Sequence, residues 1–196
     1  MSKRLFDLSL GIFALLLVLP LMVLSALMIY LEDGLPVIFR QKRVGGNGHL
    51  FEMYKFRTMV KNAEQLQSQT VRWDPQGNLI HKTRHDPRVT RVGRVLRRFS
   101  LDELPQLFNV LAGTMSLVGP RPELPSLVAN YESWQHKRFT VPPGMTGWWQ
   151  INGRSDRPMH LHIEDDVYYV QNHTIWLDLQ IILRTLRVVI LGKGAY

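Results

Sequence analysis

The segment of residues 99–111 carries the side chains best suited to covalent chemistry, because Asp102 and Glu103 stand side by side at a predicted helix start. Carboxylates at such a place can have two chemical roles: they can attack phosphorus as nucleophiles, or they can coordinate a magnesium ion. A structural explanation also fits, since Ser100 and Glu103 have the spacing of a capping box. Pro105 forfeits a helical hydrogen bond one turn later, so either this turn is strained or the helix begins at Pro105.

A basic stretch leads directly into this acidic pair. Residues 82–98 contain seven lysines and arginines and a single acid. In a helix, Arg91, Arg94 and Arg98 would share one face. The apolar residues Val92 and Val95–Leu96 would lie on the other side. A solvated basic face is the simple explanation. We favour contact with phosphates or lipid headgroups, because the stretch runs into the acidic pair.

Arg121 lies between two prolines, Pro120 and Pro122. The prolines fix the backbone around it and lower the entropy cost of immobilising its side chain. A rigid guanidinium can grip a phosphate with two parallel hydrogen bonds. This short motif is therefore a candidate phosphate-binding site.

Two further segments have polar or aromatic groups whose use is less specific. Residues 142–154 combine glycine turns with Trp148 and Trp149 beside a basic residue, a pattern that suits stacking on a base or a membrane interface. Residues 160–166 contain five potential metal ligands, namely His160, His162, Glu164, Asp165 and Asp166. Ligands so closely spaced do not converge on one ion, so we interpret this segment as an ordinary polar stretch in which one acid could line a substrate pocket.

Short strands are predicted around a glycine-rich turn. Residues 37–40 and 50–59 have strand-like composition, and residues 44–48 between them contain three glycines and an asparagine. Such a cluster could cradle a phosphate, but a hairpin turn is its more common role. Residues 60–82 are polar and irregular and predict a surface excursion.

The C-terminal segment, residues 175–191, predicts an amphipathic helix. Its apolar positions are interrupted by Asp178, Gln180, Arg184 and Arg187, which make the polar side cationic after the first turn. Packing on the globular core and lying on a membrane interface both explain this pattern.

The N-terminal segment predicts a membrane helix, because residues 8–31 contain no charged side chain. A helix needs roughly 20 apolar residues to cross the hydrocarbon core. A cleaved signal peptide has a shorter apolar run, and a buried core helix of this length does not suit so small a domain. Basic residues flank both ends, and Pro20 in the middle bends or breaks the helix. A kinked spanning helix and a re-entrant helix that returns at Pro20 both fit.

Composition limits the class of protein. The 196 residues are enough for one domain with its own core, and the absence of cysteine excludes disulfides, thiolate metal sites and a cysteine nucleophile. The formal charge of +8 and pI near 10 favour an anionic partner: nucleic acid, a membrane surface or a phosphorylated substrate.

Several motifs occur in an order that resembles the bacterial sugar transferase family, the monotopic polyprenyl-phosphate phosphoglycosyl transferases. Besides the apolar start broken by Pro20, they are residues 37–41, 54–59, 100–111, 120–122, 143–147, 152–154 and 194–196. The resemblance covers nearly the whole chain. The two tryptophans occupy a place where the family varies, so they do not identify the sugar.

The resemblance implies a reaction and the roles of individual residues. A sugar-1-phosphate would pass from a UDP-sugar to undecaprenyl phosphate with release of UMP, through a covalent intermediate on Asp102. Glu103 would assist, and Asp102 and Glu103 are the expected magnesium ligands. Phosphate or substrate contacts are expected from Arg97, Arg121, Lys55, Arg57, Arg88 and Arg154.

The expected fold is α+β and mainly helical, with a short β-hairpin and interfacial amphipathic helices. Residues 1–35 are expected to form a re-entrant helix-break-helix at Pro20, and residues 36–196 a catalytic domain. The expected location is the cytoplasmic face of a bacterial inner membrane, with no nucleic-acid partner. A homodimer is one option for the oligomeric state. The competing functions are a membrane-tethered nucleic-acid-binding protein and a non-catalytic scaffold, neither of which explains the acidic pair.

Overall fold

The computed structural model of the chain describes residues 2–63, 65–66, 72–73, 79–80, 86–152 and 162–191. The helices are α1 (Lys3–Asp33), α2 (Arg91–Arg98), α3 (Gln106–Ala112), α4 (Pro125–Val128), α5 (Trp148–Ile151), α6 (Ile163–Asn172) and α7 (Ile175–Leu191). The strands are β1 (Ile38–Val44), β2 (Leu50–Phe56), β3 (Arg72–Trp73), β4 (Leu79–Ile80), β5 (Ser116–Val118) and β6 (Gly144–Thr146). Single 3₁₀ segments span Gly46–Gly48, Leu101–Glu103 and Gln135–Thr140. The prediction of a mainly helical fold with a short hairpin is confirmed.

Helix α1 is one continuous helix that contains Pro20. The Ser2 hydroxyl caps its first turn by accepting a hydrogen bond from the Leu5 amide, and the chain leaves the helix at Gly34, whose φ of 68° suits glycine. Helical structure is therefore assigned on both sides of the proline without an intervening loop. Re-entry at Pro20 stays a prediction, now of a bend within one helix rather than of two separate helices.

Most of the apolar surface of α1 is exposed. Its most apolar 18-residue window has a mean hydropathy of 2.9, and only 17% of that window is buried. The large side chains that face outward include Phe13, Leu16, Leu17, Val23, Leu24, Leu27 and Leu31. An exposed apolar face of this size is incompatible with a core helix and suits contact with lipid.

The first turns of α1 are bonded to the globular domain. Arg4 donates hydrogen bonds to the carbonyl oxygens of Val110 and Leu111 at the end of α3, at 2.6 and 2.8 Å. The buried Asp7 carboxylate accepts from the Ser116 hydroxyl on β5 at 2.8 Å. These contacts fix the N-terminal end of α1 on the domain.

The last turn of α1 is bonded to the same domain. The Glu32 carboxylate accepts hydrogen bonds from the amides of Arg91 and Val92, at 2.8 and 3.0 Å, and so caps α2 from outside. The Arg57 guanidinium donates to the carbonyl oxygens of Asp33 and Gly34. Both ends of the 31-residue α1 are therefore attached to the same domain.

Strands β1 and β2 form the predicted hairpin, with Ile38 opposite Phe56 and Val44 opposite Leu50. The glycine-rich segment makes the connecting turn. Asn109 of α3 fixes the hairpin to the helix, because its side chain accepts from the Tyr54 amide and donates to the Glu52 carbonyl. The hairpin that carries Lys55 is thereby held at a set position relative to α3.

Helix α2 packs closely on the segment after β2. A Cβ atom on Gly93 would collide with the Thr58 carbonyl, so only glycine allows this approach. Thr90 caps the helix by accepting a hydrogen bond from the Gly93 amide. The prediction that Val95 lies on the apolar side is wrong, since its side chain is 48% exposed among the exposed arginines Arg91, Arg94 and Arg98. Burial of Leu96 and close packing at Gly93 are enough to dock the helix, which leaves Val95 outside.

Helix α7 has two different faces. Ile181 and Asp178 are buried against the core, and Lys3 of α1 forms an ion pair with Asp178 at 2.8 Å. The outward face carries Trp176, Leu183 and Leu186 together with Arg184 and Arg187. A helix forms over the predicted residues and one face packs on the core, but the outer face mixes apolar side chains with arginines, and its place at a membrane interface stays a prediction. The prediction that Asp178 lies on the polar outer side of the helix is wrong. Its buried carboxylate forms the ion pair with Lys3 and accepts a hydrogen bond from the Tyr169 hydroxyl.

Candidate active site

A 3₁₀ turn, Leu101–Glu103, holds the acidic pair between α2 and α3. Ser100 precedes the turn in the left-handed conformation, with φ of 56°, and its side chain makes no capping bond. The capping-box prediction is therefore wrong. The alternative, a helix that starts at the proline, is the one observed, since Pro105 is the N-cap of α3. The turn places the two carboxylates beside three cations, Lys55, Arg97 and Arg121, rather than in the first turn of a helix.

Glu103 is bound by two cations from distant parts of the chain. Its Oε1 atom accepts from Lys55 Nζ and from the Arg121 guanidinium, each at 2.8 Å. Burial alone would raise the pKa of Glu103, but the charges and hydrogen bonds of Arg121 and Lys55 outweigh it and hold the pKa well below its usual range. Glu103 is therefore an ionised, fixed carboxylate.

The pKa of Asp102 is shifted in the opposite direction, above its usual value. Burial raises the pKa of Asp102, the charge of Lys55 acts against that rise, and the neighbouring charge of Glu103 adds to it. Arg97 and Arg121 also act on Asp102 to favour its ionised form. Adjacent carboxylates whose pKa values are pushed apart are typical of sites in which one acid is held by the structure and the other is kept for chemistry.

Arg97 joins the site from the last turn of α2. Its Nε atom donates to the Thr58 hydroxyl at 2.9 Å. Burial lowers the pKa of Arg97, and the negative charge of Asp102 acts to raise it. The guanidinium is thus desolvated next to Asp102, where an anion would replace its missing water.

The structure brings together part of the predicted set and places the rest elsewhere. Lys55, Arg97 and Arg121 lie beside the acidic pair, and their contact with substrate stays a prediction. Arg57 is turned to the end of α1, where it also pairs with the Asp33 carboxylate at 3.0 Å. Arg88 forms a two-pronged pair with the Asp86 carboxylate. These two residues are bonded within the domain, and their predicted contact with substrate stays a prediction, as does that of Arg154, which lies outside the described residues.

Sequence reasoning missed Arg43, which lies beside this cluster. Burial and the charge of Arg121 lower the pKa of Arg43 to about 10, while the charges of Glu123 and Glu103 act to raise it. A signal was present: Gln41 and Arg43 alternate along β1 with the exposed Arg40 and Lys42. An arginine on the inner face of a strand is seldom placed there without a partner.

The two tryptophans pack inside the domain rather than forming an open platform. Trp149 is 7% exposed, and the ring of Trp148 lies 4.9 Å from that of Tyr168. Among residues 160–166, Asp166 is buried and paired with Arg138, whereas His160 lies outside the described residues. In the described part of the chain, no group of three or more His, Cys, Asp or Glu residues is placed to share a metal ion.

The acidic pair nevertheless fits a magnesium ion that is shared with a substrate. Magnesium is usually held by one or two carboxylates together with phosphate oxygens, rather than by a cage of protein ligands alone. Both cations bound to Glu103 contact Oε1, so Oε2 is the oxygen suited to a metal. Two carboxylates facing one lysine and two arginines can therefore accept a phosphorylated substrate and supply a nucleophile.

Comparisons with known proteins agree with this chemistry. The model of the family described as bacterial sugar transferase matches residues 1–192. Galactosyl transferase CpsE of Streptococcus agalactiae is 46% identical over 84% of this chain and 37% of its own length. Undecaprenyl-phosphate galactose phosphotransferase of Salmonella typhimurium is 42% identical over 99% of this chain and 41% of its own.

Not all relatives are longer. The exopolysaccharide production protein ExoY of Rhizobium meliloti is 40% identical over 100% of this chain and 88% of its own length. The chain thus spans about two fifths of the first two relatives and most of the third. The family match extends over all of the residues that build the site. The chain belongs to the bacterial sugar transferase family.

Proposed function

We propose that this protein is a phosphoglycosyl transferase that moves a sugar-1-phosphate from a UDP-sugar to undecaprenyl phosphate and releases UMP. The observation that carries the proposal is the acidic pair: Glu103 is held ionised by two cations, and Asp102 beside it is the carboxylate left for chemistry. The names of two relatives, an undecaprenyl-phosphate galactose phosphotransferase and an undecaprenyl-phosphate N-acetylgalactosaminephosphotransferase, support this choice of donor and acceptor.

The first step uses the Asp102 carboxylate as the nucleophile. One of its oxygens forms a bond to the sugar-bearing phosphorus of the donor, and the bond from that phosphorus to the bridging oxygen breaks. UMP leaves with the electron pair of the broken bond, and the sugar phosphate stays on Asp102 as an acyl phosphate. Because Asp102 must be ionised to attack, its raised pKa makes it a stronger nucleophile than an ordinary aspartate once it has lost its proton.

The second step regenerates the enzyme. A phosphate oxygen of undecaprenyl phosphate attacks the same phosphorus, the bond to Asp102 breaks, and the carboxylate recovers its electron pair. The product is a lipid diphosphate that carries the sugar. Lys55, Arg97 and Arg121 offset the negative charge that accumulates when two anions meet at one centre.

Magnesium is the cofactor that we propose for the same site. Asp102 and Glu103 would hold the ion together with the diphosphate oxygens of the donor. When bound, it would neutralise charge on the leaving UMP. The residues of the chain then have separate tasks: Glu103 is fixed by Lys55 and Arg121, and Arg97 stays beside the nucleophile.

The attachment of α1 supports a monotopic placement on the cytoplasmic face of a bacterial inner membrane. A helix that crosses a bilayer has its two ends in different compartments, so one folded domain cannot bind both of them. Here Arg4 and Asp7 at one end and Glu32 and Asp33 at the other are all bonded to the same domain. The exposed apolar face between them would enter one leaflet and bring the site close to the lipid phosphate.

Cysteine labelling tests this topology cleanly, because the natural chain has no cysteine. Ser2→Cys and Lys42→Cys place thiols at exposed positions before and after α1. We expect a membrane-impermeant maleimide to label neither variant in intact spheroplasts and to label both after the membrane is opened. Labelling of one thiol from outside would mean that α1 spans the bilayer.

A panel of donors tests the reaction. Purified protein is given undecaprenyl phosphate, magnesium and one UDP-sugar at a time, starting with UDP-galactose and UDP-N-acetylgalactosamine, and UMP release is measured. We expect one donor to be turned over much faster than the others. Absence of UMP with every donor, in a preparation that unfolds cooperatively on heating, would contradict the proposal.

A further inference from the structure

The loop that carries Arg121 is bonded through four consecutive carbonyl oxygens. Carbonyl oxygens of four consecutive residues, 120–123, each accept a hydrogen bond from elsewhere in the domain. The amide of Gly144 bonds to Pro120 at 2.8 Å, and the amide of Val44 bonds to Glu123 at 2.9 Å. The two carbonyls in between are bound by side chains, Arg138 to Arg121 at 2.6 Å and Arg43 to Pro122 at 3.3 Å.

Each of these two guanidiniums is itself fixed. The side chain of Arg138 is fully buried and is bonded to the Asp166 carboxylate and, at 2.8 Å, to the Tyr131 hydroxyl. Arg43 donates to Gln41 Oε1 through Nε and Nη2, at 3.2 and 2.6 Å. Both guanidiniums are held by partners outside the loop. They therefore hold the two carbonyl oxygens at fixed positions.

This arrangement has an electrostatic cost. Burial and the charge of Arg121 both lower the pKa of Arg43, because two guanidiniums stand close together in a partly desolvated site. A neutral donor could hold the Pro122 carbonyl without that repulsion. Glu123, which lies 3.7 Å from Arg43 and 4.0 Å from Arg138, offsets part of the charge. Cations kept in place despite mutual repulsion indicate that the position of Arg121 matters.

We propose that Arg43 and Arg138 are positioning residues, which set the place of the Arg121 side chain by holding the carbonyl oxygens of Pro122 and Arg121. Pro120 and Pro122 restrict rotation within the loop, and the amides of Gly144 and Val44 hold its two ends. Arg43 and Arg138 hold the two carbonyls between those ends. Arg121 then meets Glu103 and the donor phosphate in one geometry, which lowers the entropy lost on reaching the transition state. The inference rests on the proposed transferase function.

The test compares Arg43→Gln with Arg40→Gln, a matched control on the same strand. Arg40 is exposed, and it pairs across the hairpin with Glu52 at 3.8 Å. We expect kcat for UMP release to fall at least about 10-fold in Arg43→Gln, with a change in the donor KM of less than about threefold, and no change in the control. Thermal unfolding of each variant is measured alongside.

A double-mutant cycle separates positioning from general destabilisation. If Arg43 acts through Arg121, the loss caused by Arg43→Gln should shrink to about twofold or less when Arg121 has already been changed to glutamine. An equal loss in both backgrounds would overturn the inference, and so would wild-type kcat in Arg43→Gln. Failure of the proposed function has a different result, namely no UMP from the wild-type protein with any donor.

A milder variant keeps the test valid if Arg43→Gln does not fold. Gln41→Met leaves Arg43 in place and removes the acceptor that orients it. The same cycle applies, with an expected kcat loss of about 3-fold to 10-fold that disappears in the Arg121→Gln background. Arg138→Lys tests the positioning role of Arg138 in the same way. A lysine retains the charge but cannot bind Tyr131, Asp166 and the Arg121 carbonyl in one plane. A loss that persists without Arg121 would contradict the role in either case.

Discussion

Asp102→Asn should abolish UMP release, with a loss of about 10⁴-fold or more in kcat. The substitution keeps the size of the side chain and removes its negative charge, so the oxygen that attacks phosphorus is no longer nucleophilic. Glu103 would still be held by Lys55 and Arg121, because both of its contacts are independent of Asp102. The contacts of Lys55, Arg97 and Arg121 with the donor phosphates should therefore survive, and the main defect should lie in the chemical step.

The covalent intermediate gives this prediction a second measurement. Intact-mass analysis of wild-type protein, exposed briefly to the correct donor without lipid, should detect an added sugar phosphate. Asp102→Asn should remain unmodified, and Glu164→Gln, a change at an exposed acid, should behave as wild type. Turnover by Asp102→Asn at more than about a hundredth of the wild-type rate would mean that another group is the nucleophile.

Local sequence patterns were sufficient for the parts of the site that lie within short segments. The acidic pair, the arginine between two prolines and the hairpin around the glycine turn were each predicted from a few neighbouring residues. Their meeting was not predictable in the same way, since Lys55 and Glu103 are 48 residues apart and the hydrogen bond between them depends on the tertiary fold. The family resemblance supplied that link, and spacing alone did not.

Errors arose where a local pattern had two outcomes that only packing decides. Ser100 has capping-box spacing, but the chain turns sharply there, and Thr90 is the residue that caps α2. Arg88 is bound within the domain by a nearby partner, Asp86 two residues earlier, and its expected contact with substrate stays a prediction. Arg43 was overlooked for the converse reason, because its partners at residues 122 and 123 come from a distant loop.

The N-terminal helix illustrates a different limit. Its apolar length and the proline were evident from the sequence, and basic residues at both ends left two topologies open. The structure adds contacts that a hydropathy pattern does not contain: Arg4 and Asp7 hold one end, and Glu32 caps α2 at the other. Attachment of both ends to one domain is the physical reason why we favour re-entry over a span.

The second large effect is expected at Arg121. Arg121→Gln removes one of the two cations that bind Glu103 and the guanidinium that we expect to grip the donor phosphate. We expect kcat/KM for the donor to fall about 100-fold to 1000-fold, as for loss of a principal charge-stabilising donor. Arg121→Lys should recover only a small part of this loss, because an ammonium cannot form two parallel hydrogen bonds to one phosphate.

The same substitution should also change Glu103. With Arg121 absent, only Lys55 opposes the effect of burial, so the pKa of Glu103 should rise toward its usual range. A group whose pKa rises is protonated at higher pH, and activity on the acid side should therefore be lost at a higher pH in Arg121→Gln than in wild type. Arg40→Gln removes an exposed arginine and should leave both the rate and the pH profile unchanged. Full activity in Arg121→Lys would show that charge alone is required there, and the two-pronged phosphate grip would have to be abandoned.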